Sequence, residues 1–266
     1  MSDPIALHRD LAADLDLALR IADAADVVTM PFYERRSFTL SRKADHTEVT
    51  EADRDTETAI VGLLAEHRPL DAVYGEEHGR SGDATAEFTW VIDPIDGTSN
   101  FVRGVPVWAT LIALVHRDLG PVVGVVSAPA MHRRWWAARG HGSFVLGHPI
   151  RVSDVPSIAD SQISVTFNAG WDRLGLTSRL VSLQQSAYRA RGYGDFWQHM
   201  LVAEGAVDIA IDAVGLAPYD NAAVQIVVDE AGGRHTDRFG RRDYEADTAV
   251  STNGRMHEEV IAILGA

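Results

Sequence analysis

Apolar residues recur at helical spacing near the amino terminus. Leu7, Leu11, Leu15, Ala18, Leu19, Ala22 and Ala25 share one face, which predicts a long amphipathic helix fading near Phe32. Asp3 followed by Pro4 reads as its N-cap and first helical position. Residues 37–47 are polar and turn-rich, and Thr50-Glu51-Ala52-Asp53 then reads as a cap for a second helix reaching about His67. From there short strands are predicted over 72–75, 89–92, 107–115, 122–127 and 134–138, with glycine and proline between them. Beyond Pro149, predicted strands (163–167, 187–192, 207–211, 249–252) alternate with helices (177–185, 196–204, 220–231, 256–264). The 220–231 helix ends at Gly232-Gly233, a C-cap signal. This mixture predicts an α/β layered sandwich. Gly147, Pro149 and Pro156 cluster at a seam between an N-terminal α+β half, 1–148, and a C-terminal α/β half, 149–266.

Composition narrows the field. With 46% hydrophobic and 23% charged residues, a disordered chain, a collagen-like repeat and a coiled coil are excluded. The chain has no cysteine, so disulfides, thiolate-bound zinc and iron–sulfur clusters are excluded too. Met1-Ser2-Asp3-Pro4 lacks the basic start and apolar stretch of a secretory signal. The longest apolar run, Val107 to Val115, is far short of the roughly 20 residues that span a bilayer. A soluble, cytoplasmic protein without membrane partners is the expectation. The formal net charge of −14 repels phosphate backbones, so nucleic acid is not an expected partner. An anionic substrate would need local neutralisation, and cations held by clustered carboxylates are one means.

Candidate chemistry concentrates in Trp90-Val91-Ile92-Asp93-Pro94-Ile95-Asp96-Gly97-Thr98. A buried apolar strand runs into two aspartates three residues apart, and Gly97 lets backbone approach a ligand closely. A short helix starting near Thr98 would aim free amides at the same spot. Two ionised carboxylates about 5 Å apart repel by roughly 3 kcal/mol at an effective dielectric near 20, so such a pair calls for a cation or a proton. Three further pieces gain meaning only beside that string: Gly75-Glu76-Glu77 at a strand end, Asp220 at a helix start, and Lys43, the chain's one lysine, with Thr50 and Asp53. Hard oxygen donors without His or Cys favour Mg²⁺ over zinc.

These motifs, in this order and across almost the whole chain, resemble the magnesium-dependent, lithium-sensitive phosphatases typified by inositol monophosphatase. The resemblance implies a five-layered α-β-α-β-α sandwich, a homodimer, two to three Mg²⁺ per site and a small phosphorylated metabolite as substrate. It implies that Glu76, Asp93 and the Ile95 carbonyl hold the first ion. Asp93, Asp96 and Asp220 would hold the second, and Glu76 would position a third through water. Gly97 and Thr98 would grip the phosphate, and the Thr98 hydroxyl, supported by Asp53, would orient and deprotonate the attacking water. Lys43 would act electrostatically, with Glu77 behind the metal ligands.

Within the family, the stretches 101–110, 127–130, 133–138 and 191–197 are similar to those of actinobacterial histidinol-phosphate phosphatases. By that likeness Asp195 and Asp212 would face the substrate beyond its phosphate, where carboxylates suit an amino or imidazolium cation. The chain also departs from the subgroup. Tyr219 stands in place of Trp, Asp212 in place of Glu, Ser99 in place of Lys, one extra residue separates Asp212 from Asp220, and 166–171 replaces a serine-rich stretch. All these fall where the leaving group would lie. Histidinol phosphate leads, while inositol 1-phosphate, a sugar phosphate, a nucleoside monophosphate and a non-catalytic binding role stay open.

Overall fold

Helix α1 (Leu11–Arg35) opens on Asp10, whose carboxylate accepts from the Ala12 and Ala13 amides. The computed structural model describes residues 9–42 and 48–265, so the cap expected at Asp3-Pro4 lies outside the described residues. A small antiparallel pair, β1 (Leu40–Arg42) and β2 (Glu48–Thr50), feeds helix α2 (Glu51–His67). Next come β3 (Ala72–Gly75), β4 (Gly79–Ser81), β5 (Phe88–Asp96), the short α3 (Thr98–Arg103), β6 (Ala109–His116), β7 (Gly120–Ala128), β8 (Arg133–Ala138), β9 (Ser143–Val145) and β10 (His148–Ile150). The remaining elements are β11 (Gln162–Val165), α4 (Ala169–Arg173), α5 (Thr177–Ser186), β12 (Arg189–Arg191), α6 (Asp195–Ala203), β13 (Ile209–Ile211), α7 (Pro218–Glu230), β14 (Arg234–Thr236), β15 (Val250–Thr252) and α8 (His257–Gly265).

Eight strands form one sheet in the order β10-β9-β8-β7-β6-β5-β3-β4, antiparallel throughout except where β3 runs parallel to β5. Its two faces follow from the alternation along β6. Ile112 and Leu114 pack with Leu17, Ile21, Ile60 and Leu64 of α1 and α2. Leu111, Ala113 and Val115 pack with Ala223, Ile226 and Val227 of α7. Covered on both sides, β6 has every residue buried and reads in sequence as a continuous apolar run.

The second sheet has five strands in the order β12-β11-β13-β15-β14. One face packs Ile163, Val165, Ile209, Ile211 and Val250 against Leu180, Leu183, Val260 and Leu264 of α5 and α8. The other meets α6 and α7. The layers therefore run α1/α2, first sheet, α6/α7, second sheet, α5/α8, which is the expected α-β-α-β-α sandwich. As the middle layer, α7 is buried from Asn221 through Val228, on all sides rather than along one stripe. No helix among the described residues is long and apolar enough to cross a membrane.

Candidate active site

The site grows from an irregularity in β5. Asp93 pairs with Leu111 and Asp96 with Ala109, so three steps on β5 match two on β6. In a regular strand, residues three apart point to opposite faces; one extra residue brings them to the same side. Pro94 sits at this bulge, where a missing ladder N–H is tolerated, and its carbonyl accepts from the Thr110 hydroxyl at 2.8 Å. The Ile95 amide donates to Asp93 Oδ1 at 3.0 Å. Asp220, third residue of α7, comes in from the middle layer, with Oδ2 accepting from the Ala217 amide at 2.7 Å.

Asp93, Asp96 and Asp220 each offer an oxygen within 4.8 Å of the others. Ionised together at that spacing, each pair would repel by about 3 kcal/mol at an effective dielectric near 20. Proton affinity rises accordingly. Burial, then the charges of Glu76, Asp96 and Asp220, push Asp93 well above the usual carboxylate range. Burial with Asp195 and Asp220 does the same to Asp96. Asp220 is pushed up to about 7 by burial, against the Ala217 hydrogen bond, with Glu76 adding to the rise. Among the described residues no arginine or histidine forms an ion pair with these three. An all-oxygen, anionic donor set that no described arginine or histidine bridges fits a hard metal cation.

Glu76 follows β3, and its amide donates to the Ile92 carbonyl at 3.2 Å, which sets it beside Asp93. The turn bearing it is held from beneath by Glu57 of α2, a buried carboxylate that sequence reasoning missed. Glu57 Oε2 accepts from the Glu77 amide at 2.8 Å, and Oε1 accepts from the His78 amide at 2.8 Å. Glu57 comes so near the strand that a Cβ on Gly75 would sit 1.9 Å from Oε1, so any other residue there would displace the Glu57 carboxylate.

Asp53, one helical turn before Glu57, serves two purposes. Its Oδ2 accepts from the Thr50 amide (2.8 Å) and hydroxyl (2.6 Å), completing the expected capping box. Its Oδ1 lies 3.2 Å from the Thr98 hydroxyl, which also reaches the Ile95 carbonyl at 2.9 Å. Burial raises the proton affinity of Asp53 despite the bonds from Thr50. Glu77 adds negative charge near Asp53. Gly97 adopts φ 80°, and a Cβ there would meet the Val107 carbonyl at 3.1 Å. Glu76, Asp93, Ile95, Asp96, Gly97, Thr98 and Asp220 line one cavity of about 480 Å³, joined by Glu48, Ser99 and Arg103.

Asp195 and Asp212 are not among the residues lining that cavity, yet they stand next to the cluster. The Phe196 amide donates to Asp96 Oδ2 at 2.9 Å, fixing the start of α6 against the site. Asp195 there has φ 47°, a left-handed conformation that aspartate adopts more readily than most residues. Asn100 holds it: the Nδ2 group donates to Asp195 Oδ2 and to the Val107 carbonyl, both at 2.9 Å. Burial, with Asp212 adding, pushes Asp195 up to about 6. Asp212 follows β13 and accepts from the Ala213 amide on Oδ1 at 2.7 Å, while His199 Nε2 meets Oδ2 at 3.0 Å. Lys43 lies outside the described residues.

Sequence reasoning did not find Asn100, Glu57 or His199. The spacing of Glu57 four residues after Asp53 was the one signal available for any of them.

Layering and acidic centre together define a class. Residues 10–266 match the model of the inositol monophosphatase family, and the chain belongs to that family. Among curated relatives, it is 47% identical over 258 residues to a histidinol-phosphatase of Mycobacterium tuberculosis, covering 95% of this chain and 98% of that one. It is 44% identical over 263 residues to a histidinol-phosphatase of Streptomyces coelicolor, covering 96% and 98%. Among solved structures, the extragenic suppressor protein suhB of Bartonella henselae superposes with a TM-score of 0.87 at 26% identity, over 95% of this chain and 98% of that one.

Proposed function

We propose that the chain is a magnesium-dependent phosphatase that hydrolyses L-histidinol phosphate to L-histidinol and phosphate. The observation that carries this reading is a doubled acidic site. Asp93, Asp96 and Asp220 gather on one side. Asp195 and Asp212 stand beside them, electrostatically coupled. The first group suits cations that hold a phosphate; the second suits a leaving group that is itself cationic. The names of the two relatives at 44% and 47% identity support the same substrate.

In this reading Glu76, Asp93 and the Ile95 carbonyl hold one Mg²⁺, and Asp93, Asp96 and Asp220 hold a second. A third, weaker ion would be reached from Glu76 through water. Bound Mg²⁺ lowers the pKa of a ligated water and neutralises charge building on the phosphoryl and leaving oxygens. The protein positions the other protons. Thr98 has one hydroxyl proton and two acceptors, Ile95 O and Asp53 Oδ1. Of these two, Asp53 is the acceptor that can take up a proton, and the Ile95 carbonyl would face an ion. The Thr98 oxygen then takes a hydrogen bond from the attacking water, and the proton passes towards Asp53, whose burial favours receiving it. Gly97 and Thr98 present amides to the phosphate, and Lys43 contributes positive charge.

Initial-rate phosphate release across histidinol phosphate, inositol 1-phosphate, fructose 1,6-bisphosphate and AMP tests the reading. A rate on histidinol phosphate at least ~100-fold above the rest, about 2.7 kcal/mol of discrimination, is expected. A flat profile would keep the phosphatase chemistry and overturn the substrate. Chelation, or Asp93→Asn, should cut the rate at least about 100-fold, several kcal/mol of transition-state stabilisation; full activity in either case would overturn the chemistry as well. A cytoplasmic homodimer working in histidine biosynthesis completes the reading, and sedimentation of the purified chain tests its dimer.

A further inference from the structure

Behind Asp212 runs a buried polar chain that the reaction outlined above does not use. His199 Nε2 meets Asp212 Oδ2 at 3.0 Å, His199 Nδ1 meets Ser251 Oγ at 2.8 Å, and the same Oγ meets His235 Nδ1 at 2.9 Å. All four side chains are buried, and they come from α6, the end of β13, β15 and β14. His199 and His235 also meet edge to face, with ring centroids 5.4 Å apart.

The proton inventory of this chain gives it a direction. An ionised Asp212 can only accept, so His199 Nε2 carries a hydrogen. Burial pushes the His235 imidazole well below its usual range, so it is neutral. With His235 donating from Nδ1 to Ser251 Oγ, the Ser251 hydroxyl donates to His199 Nδ1, and His199 donates from Nε2 to Asp212. Each bond in the sequence then has one donor and one acceptor, and with one hydrogen on each imidazole the negative charge on Asp212 is not cancelled.

His199 also lies four residues after Asp195 on α6, so the two project from one face of that helix. It bonds Asp212 directly, with Asp195 one helical turn before it. One imidazole thus links the two carboxylates assigned to the leaving group. Buried ionic groups are often no more stabilising than an apolar core of the same shape, so stability alone does not account for this chain.

We propose that His199, its tautomer set by Ser251 and His235, is a positioning residue. It aims the Asp212 carboxylate at the substrate while leaving that charge free for a cationic leaving group. This rests on the histidinol phosphate reading.

The test compares KM and kcat for histidinol phosphate with those for glycerol 2-phosphate, an ester whose leaving group is uncharged. In His199→Leu, KM for histidinol phosphate should rise about tenfold or more and kcat should fall less than about threefold, narrowing the preference over glycerol 2-phosphate by the same tenfold. His199→Gln keeps an N–H donor for Asp212 and should recover most of the loss. Ser251→Ala should move the preference in the same direction by about two- to fivefold, and it decides the matter if the leucine variant does not fold. Equal losses on both substrates, or an unmoved preference in all three variants, would overturn the positioning role. A wild-type enzyme with no preference for histidinol phosphate would overturn the substrate reading and this inference with it.

Discussion

Gly75 and Glu57 show how much of the site depends on residues that never touch substrate. Glu57 holds two consecutive amides of the turn carrying Glu76, and it does so in the space where any other residue at 75 would place its Cβ. Gly75→Ala should therefore push Glu57 aside and loosen the turn. The expected result is a 10- to 100-fold weaker Mg²⁺ response, about what loss of a partner behind a metal ligand costs, read as the Mg²⁺ concentration giving half-maximal rate. Glu57→Gln places an amide donor against backbone N–H donors and should cost about 1–3 kcal/mol in stability, measured by urea unfolding. If both variants behave as wild type, the turn is held by something else.

Elements far from the chemistry set stability more than rate. Near the start of α1, Asp14 is fully buried and receives Arg9 at 2.6 and 2.9 Å and Arg68 at 2.9 Å, while Arg9 also bridges to Asp71. Asp14→Ala leaves two guanidinium groups facing an empty acceptor site. It should destabilise the fold by about 3–5 kcal/mol and lower Tm by about 6 °C or more, with kcat at wild-type level well below the new Tm.

The same scale shows what could be read from the chain in advance. Strands β6 to β8 and helices α2 and α7 are long and apolar enough to be seen, and they lie close to where the sequence placed them, whereas β5 runs on through Asp96, four residues past its expected end. Nine strands among the described residues have only three residues; β12, β13 and β15 lie inside the stretches 187–192, 207–211 and 249–252 that the sequence marks as extended, whereas β1, β2, β4, β9, β10 and β14 have no apolar run to mark them. The Asp93–Thr98 string was legible because its chemistry is contiguous. Asn100 was not, since its partner Asp195 lies 95 residues away. His199 was not either, because nothing local distinguishes a histidine bonded to Asp212 from an ordinary core histidine.

For the molecule as a whole, pH acts on the metal-site carboxylates and on buried histidines alike, and saturating Mg²⁺ isolates the second effect. His257, at the start of α8, is enclosed between Thr236 Oγ1 at 2.9 Å and Thr252 Oγ1 at 3.0 Å, and burial lowers it to about 4. Between its unfolded value of 6.5 and about 4, the unfolded chain binds a proton that the folded chain does not. Its contribution to stability is therefore complete above pH 6.5 and lost as pH falls through about 4. Thermal melts across pH 4 to 8 at saturating Mg²⁺ should show Tm declining on the acid side, and His257→Gln should flatten that decline. At neutral pH, removing Mg²⁺ should lower Tm, because an ion that binds only the folded chain stabilises it by about 2.7 kcal/mol at 100 times its dissociation constant. A Tm indifferent to chelator would count against a metal at the Asp93–Asp96–Asp220 cluster.

The place of α7 between the two sheets has a consequence for synthesis. The strand face that α7 covers is complete once β9 has emerged, yet α7 itself begins 73 residues after β9 ends. A nascent chain therefore carries Leu111, Ala113, Val115 and Val126 in water until the second half arrives. Asp220 arrives on that same helix, so the polypeptide acquires its full acidic centre only in the step that seals its largest adhesive surface. Ribosome-bound intermediates of this protein would be sticky and inactive together, and would lose both properties at once.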